Sequence, residues 1–252
     1  MKPIYITLLI LFSLSASASD FKKEQRWADQ IIDFIIDGDA IWLTAGDHKI
    51  LGIYTSSQTS HVKGAAIIVH GSGVHPNWEE VILPLRTALP ETGWSTLSIQ
   101  MPVLSNSADY SEYASVFDEI APRINAAIKF LHQKDINNIV IIAHSLGSTM
   151  SAYYLSSNPN TKISGFIAIG MPGASKDTKM NNLQSLKKIK LPMLDLYGSN
   201  DLPSVLTSAT ERKRASVNNS HYSQAVVDEA NHFFSGKNSE LLTTVRQWLN
   251  RQ

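Results

Sequence analysis

Unbroken apolar runs alternate along this chain with segments whose apolar positions recur at helical spacing. A polar, helical lead-in over Phe21 to Ile36 precedes two short strands, Ile41-Trp42-Leu43 and Ile50-Leu51-Gly52-Ile53-Tyr54. The turn residues Gly46-Asp47 between them predict an opening hairpin. Ala65-Ala66-Ile67-Ile68-Val69 is apolar at every position, as expected of a strand covered on both faces. A helix is predicted from near Pro76-Asn77-Trp78, with Val81, Leu85 and Leu89 inward and a stop before Gly93. The next strand is Ser95 to Ile99.

The longest periodic segment puts Tyr113, Val116, Phe117, Ile120, Ile124, Ala127, Ile128 and Leu131 on one helical face, with Pro122 starting a new turn or bending it. It leads into the strand Ile139-Val140-Ile141-Ile142. Beyond that come a helix carrying Met150, Tyr153, Tyr154 and Leu155, strands at Ile163 to Ile169 and Leu191 to Tyr197, and a last strand at Ser223 to Val227. A C-terminal helix shows Leu241, Leu242, Val245, Trp248 and Leu249 at helical spacing. Strands alternating with helices after a hairpin specify an α/β fold: a mostly parallel sheet covered on both faces, with ligands beyond the carboxyl ends of its strands.

Ala143-His144-Ser145-Leu146-Gly147 stands where one of those strands runs directly into a helix. A serine at such a turn has a strained backbone, so the positions two before and two after it must be small. Ala143 and Gly147 meet that condition, although the usual pattern has glycine at both places.

In strand order and motif placement the chain resembles the α/β-hydrolase superfamily over nearly its whole length beyond the N-terminal segment. More narrowly, it is similar to a group of exported proteobacterial α/β-hydrolase-like proteins classed as a domain of unknown function. The resemblance implies a serine nucleophile, an acid and a histidine base in that chain order. Ser145, then Asp201 in Gly198-Ser199-Asn200-Asp201, then His232 in Asn231-His232-Phe233-Phe234 supply them. A serine hydroxyl is a poor nucleophile at neutral pH, so an imidazole must take its proton and a carboxylate must hold the imidazole. Asp201 also suits a turn or a cap for the helix entered through Leu202-Pro203. Asp195, an acid inside an apolar strand, is a rival for the third position because a buried carboxylate needs a partner, and Asp177 is a weaker one.

Acyl transfer further needs two backbone N–H groups aimed at the developing oxyanion. Leu146, after the serine, and Ser72, in His70-Gly71-Ser72-Gly73, are the candidates, with Gly73 as the alternative second donor. The same four residues also read as an ordinary glycine turn. No third ligand matches His70 and His75 in spacing, so no metal and no cofactor is expected. His144 is expected to pack or to support the site rather than to face the serine side chain. Family members often carry a long helical insertion after the strand that here ends near Ile169. The Gly170 to Asn182 loop is too short for a separate cap domain, which predicts an open, shallow site with minimal or no cap. The loop Val103 to Tyr113, with Tyr110 and Tyr113, is a second candidate wall.

The 252 residues are 43% hydrophobic and 17% charged, with 22 basic and 22 acidic side chains and no cysteine. One globular domain follows, without disulfides or a thiol nucleophile, and no charge concentration points to nucleic acid or an anionic membrane. Arg212-Lys213-Arg214 reads as the solvent face of an amphipathic helix. Met1-Lys2, an apolar run from Ile4 to Leu14 and Ala16-Ser17-Ala18 have the layout of a signal peptide cleaved after Ala18. A membrane span needs about 20 apolar residues, so a retained anchor is the lesser reading. The domain organisation is thus a signal peptide over 1–18 and a single α/β-hydrolase domain over 19–252. The mature chain is expected to be exported, to the periplasm or outside the cell, without stable membrane insertion.

Together these features predict an exported serine hydrolase of carboxylic esters that acts on a small-molecule or exposed acyl substrate through an acyl-enzyme. Amidase, peptidase or acyltransferase chemistry with the same residues is the alternative, as is a noncatalytic envelope or binding protein on the same scaffold.

Overall fold

The computed structural model describes residues 19–251, so the predicted signal peptide lies outside the described residues. Helix α1 (Phe21–Ile32) opens the domain, capped by Asp20, whose side chain accepts the Lys23 N–H. Strands β1 (Asp39–Ala45) and β2 (His48–Thr55) form the expected hairpin, with Ala45 opposite His48 across the Gly46-Asp47 turn. β3 (Gly64–Val69), β4 (Trp94–Ile99), β5 (Ile139–His144), β6 (Ile163–Ile169), β7 (Met193–Asn200) and β8 (Tyr222–Asn231) complete a sheet of eight strands. Its order is β1-β2-β4-β3-β5-β6-β7-β8. The pairs of β2 with β1 and with β4 are antiparallel and the rest are parallel, the arrangement that the resemblance implies.

All six residues of β3 and of β5 are buried, which explains their continuous apolar sequence. Alternate side chains divide between the two faces. Ala65, Ile67, Val69, Ile139, Ile141 and Ala143 join one core, and Ala66, Ile68, Val140 and Ile142 join the other. Helices α2 (Ile82–Ala88) and α8 (Asn238–Leu249) cover the second face with Ile82, Leu85, Leu241, Val245 and Trp248. On the first face lie α3 (Ile120–His132), α4 (Leu146–Ser157) and α5 (Asn182–Leu186), contributing Ile124, Leu131, Met150, Leu155 and Leu186. Two short helices, α6 (Pro203–Leu206) and α7 (Ala209–Ala215), bridge β7 and β8. Among the described residues no helix is long and apolar enough to cross a membrane.

Three expectations change. The helix foreseen from Pro76 begins only at Ile82. Ahead of it, tertiary hydrogen bonds hold the chain in turns: Ser98 Oγ donates to the Pro76 carbonyl at 2.7 Å and Arg86 Nη2 to Asn77 Oδ1 at 2.8 Å. The long periodic segment divides into a 3-10 stretch, Tyr110–Glu119, and α3, with Pro122 in the first turn, where its missing N–H breaks no helical hydrogen bond. Arg212 belongs to no solvent face. It is fully buried, and its Nε donates to Asp195 Oδ2 at 2.8 Å. Tyr222 Oη and Gln224 Nε2 donate to the same Asp195 oxygen at 2.7 and 2.9 Å.

Candidate active site

Ser145 links β5 to α4 with φ 56° and ψ −123°, a left-handed backbone that a non-glycine residue adopts at a cost of about 1–3 kcal/mol. The surrounding structure enforces it. The Ser145 N–H donates to the Ile169 carbonyl at 2.8 Å, and Ser148 Oγ donates to the carbonyls of Ala143 and Ile169 at 2.7 and 3.0 Å. A Cβ on Gly147 would lie 2.4 Å from the His70 carbonyl oxygen, so the helix reaches β3 only with glycine there. Ala143 is 1% exposed in the middle of the sheet, where its methyl group packs without disturbing the turn.

Asp201 follows β7 and His232 follows β8, at the carboxyl ends of adjacent parallel strands. Ser145 Oγ lies 2.9 Å from His232 Nε2, and His232 Nδ1 lies 2.6 Å from Asp201 Oδ1. Nδ1–H donates to the carboxylate, which leaves Nε2 to accept the serine hydroxyl. Burial alone would raise the Asp201 carboxyl. The His232 hydrogen bond and charge, with N–H groups from Leu202 and Gly198, outweigh it and hold Asp201 below the usual carboxylate range. Asp201 also accepts the Leu202 N–H at 2.7 Å, so it does have the turn role open to it in sequence, alongside its contact with His232. Asp195, the rival acid, lies in the Arg212 cluster described above.

Leu146 is the first residue of α4, where the backbone N–H has no partner within the helix. Ser72 lines the pocket beside Ser145, and Gly73 is not among the lining residues. Their turn is held by His70, whose Nε2 accepts the Met101 N–H at 2.9 Å and whose Nδ1–H donates to the Gly71 carbonyl at 2.8 Å. Complete burial pushes the His70 imidazole down to about 3, so the ring is neutral at pH 7 and both nitrogens are engaged. Among the described residues no group of three His, Cys, Asp or Glu is arranged to hold a metal ion.

Two further residues shape the site. Gly170, just after β6, has φ 61°, and a Cβ there would lie 2.8 Å from His232 Cε1. Only glycine leaves room for the imidazole, and the sequence signal was no more than a glycine at a strand end. His144 Nε2 lies 2.9 Å from the His232 carbonyl, and its ring centroid is 4.8 Å from that of His232. Burial first, then the neighbouring His232, pushes the His144 imidazole down to about 4.

These groups open into a cavity of about 520 Å³, within the size range of small-molecule sites. Met180, Leu202, Val205 and Phe233 line it, with Tyr110 from the 3-10 stretch forming a wall. Tyr110 Oη lies 3.4 Å from Thr149 Oγ1, whereas Tyr113 is buried in the core. The site is uncapped, as the short Gly170 to Asn182 loop suggested. Among the described residues, no lysine, arginine, aspartate or glutamate lines it.

The family described as "Protein of unknown function (DUF3530)" matches residues 21–119 and 105–251, nearly the whole described chain. The chain belongs to the DUF3530 family. No curated protein matches it. Solved structures do. Est1E from Butyrivibrio proteoclasticus aligns with a TM-score of 0.69 at 12% identity, covering 84% of this chain and 98% of its own. An esterase from Pyrococcus furiosus gives 0.67 at 19% identity, with 88% and 95% covered. An α/β serine hydrolase without lid from Xanthomonas campestris gives 0.63 at 14%, with 86% and 96% covered. At these identities the likeness is one of fold. This DUF3530 chain has the α/β-hydrolase fold without a cap domain.

Proposed function

We propose that this DUF3530 protein is a serine hydrolase of carboxylic esters, with Ser145 as nucleophile, His232 as general base and acid, and Asp201 as the group that orients the imidazole. The observation that carries the proposal is the continuous path from Ser145 Oγ through His232 to Asp201, 2.9 and 2.6 Å, opening into an apolar cavity. The uncharged lining favours a neutral acyl group, and about 520 Å³ accommodates a medium-sized or aromatic one. Among the similar structures is Est1E with ferulic acid bound, a ligand of that size, at 14% identity.

In this mechanism Ser145 Oγ attacks the ester carbonyl carbon as its proton passes to His232 Nε2. The carbonyl oxygen becomes an oxyanion held by the N–H groups of Leu146 and Ser72. When the C–O bond to the alcohol breaks, the imidazolium returns the proton to the leaving oxygen, and the acyl group stays on Ser145. Water then attacks the acyl carbon, giving its proton to His232. Collapse of the second intermediate releases the carboxylic acid and restores the serine hydroxyl. The export expectation belongs to the same proposal and rests on the N-terminal sequence pattern.

Fluorophosphonate labelling of the purified protein tests it, with the modified peptide identified by mass spectrometry. Labelling on Ser145 that vanishes in Ser145→Ala and His232→Ala is the expected result. A folded parent protein that takes no label would favour a noncatalytic scaffold. Product analysis with matched esters and amides then separates ester hydrolysis from amidase or acyltransfer chemistry.

A further inference from the structure

Ser19 is 5% exposed and sits in a cluster of charged side chains remote in sequence. Its backbone N–H donates to Glu119 Oε1 at 2.8 Å, and its hydroxyl donates to Glu119 Oε2 at 2.6 Å. Arg123 Nη2 donates to that Glu119 oxygen at 2.8 Å and to Ser19 Oγ at 3.0 Å. Arg123 Nη1 donates to Glu24 Oε2 at 2.9 Å and to the Gln100 carbonyl at 3.2 Å. The remaining Glu24 oxygen, Oε1, is buried without a partner, on a residue only 7% exposed.

The charges do not balance. Two carboxylates, Glu24 and Glu119, share one guanidinium, and Arg123 is 2% exposed. Lys23, the nearest other cation in sequence, directs its ammonium to the Leu104 carbonyl at 2.8 Å and to Asn106 Oδ1 at 2.7 Å. Burial pushes the Glu24 carboxyl up against the opposing pull of Arg123, as expected where positive charge falls short. A buried cluster with an uncompensated carboxylate is costly unless a cation joins it.

We propose that Ser19, Glu24, Glu119 and Arg123 form a receptor for the chain's own α-ammonium, created when a signal peptidase hydrolyses the peptide bond between Ala18 and Ser19. Water supplies the oxygen of the new Ala18 carboxylate, and the released Ser19 amine takes up a proton. The nitrogen already 2.8 Å from Glu119 Oε1 then carries a full positive charge and two additional N–H donors, in a cluster where Glu24 Oε1 is buried without a partner. One positive charge is what the pair of carboxylates lacks.

The receptor reaches the pocket through the chain. Glu119 ends the 3-10 stretch whose first residue, Tyr110, forms the pocket wall. The Asp20 N–H donates to the Val103 carbonyl at 2.7 Å, and Lys23 holds Leu104 and Asn106. The N-terminal residues therefore tie both ends of the segment from Val103 to Glu119.

N-terminal sequencing and intact mass of the exported protein give the first test, with Ser19 expected as the first residue. The second compares that protein with one carrying a single glycine ahead of Ser19. The native terminus should melt at higher temperature, and its α-amine should react roughly tenfold more slowly with an acylating reagent near neutral pH, because pairing with Glu119 favours the protonated, unreactive form. In Glu119→Gln the two forms should melt together. A mature terminus other than Ser19, or equal melting and equal amine reactivity in the unmutated pair, overturns the proposal. The unmutated pair decides the matter even where Glu119→Gln does not fold.

Discussion

The His144 imidazole donates from Nε2 to the backbone carbonyl of His232 at 2.9 Å, so the residue beside the proposed nucleophile fixes the loop that carries the proposed base. This link positions His232 without touching a reacting atom. His144→Leu should lower kcat on a small ester by roughly 10²-fold with little change in KM, because a misplacement of about 1 Å is enough for that. His144→Gln keeps an N–H donor and should recover part of the loss. Equal activity in the two variants would show that packing alone matters.

The two buried imidazoles make the fold sensitive to acid. Burial pushes the His144 and His70 imidazoles down to about 4 and about 3 in the folded protein, against 6.5 for an imidazole in water. Below about pH 6.5 the unfolded chain binds protons that the folded chain refuses, so stability falls as pH drops towards the folded values. The slope is about 1.4 kcal/mol per pH unit for each histidine. Urea unfolding between pH 7 and 4.5 measures it, and His144→Gln should show a slope shallower than the parent's by about 1.4 kcal/mol per pH unit in the lower part of that window.

Gly170→Ala tests whether the space beside the imidazole is essential. The added methyl would lie 2.8 Å from His232 Cε1 at a backbone φ of 61°. Turnover should fall by roughly 10²-fold, and stability by about 1 kcal/mol or more. Fluorophosphonate labelling should slow in parallel with turnover, since the defect lies in activation of Ser145. An unchanged labelling rate would separate the two.

The Asp195 and Arg212 pair should govern stability and leave the chemistry intact. Both side chains are fully buried. Arg212→Met or Asp195→Asn alone should destabilise the protein by about 3–5 kcal/mol, because each leaves a buried charge without its partner. The combined variant should lose less than the sum of the two. Denaturant titration measures this, and kcat below the unfolding transition should stay near the parent value.

Much of the sheet was legible because its strands are buried on both faces. β3 and β5 are apolar at nearly every position, and the Ile163–Ile169 strand has the same limits in sequence and structure. Ser145, Asp201 and His232 were legible through chain order at strand ends, and the structure brings all three together. Long-range partners decided the rest. Arg212 sits in a basic tripeptide that reads as solvent-facing until Asp195 appears beneath it. Residues 76–81 carry helix-start signals, yet hydrogen bonds to Ser98 and Arg86 keep them in turns, and Val81 adopts φ 60°. The role of Gly170 depends on where His232 arrives from β8, which local pattern does not encode, whereas His144 supports the site as its place beside the serine suggested.

His70 joins the turn after β3 to the chain after β4, with one nitrogen on each. Its hydrogen bonds are made as the sheet forms, so the entropy of shaping that turn is lost during folding and not again at each encounter with a ligand. On heating, the turn should hold its shape until β3 and β4 themselves separate. Thermal inactivation then coincides with melting of the sheet, without an earlier step in which the site loosens while the fold survives.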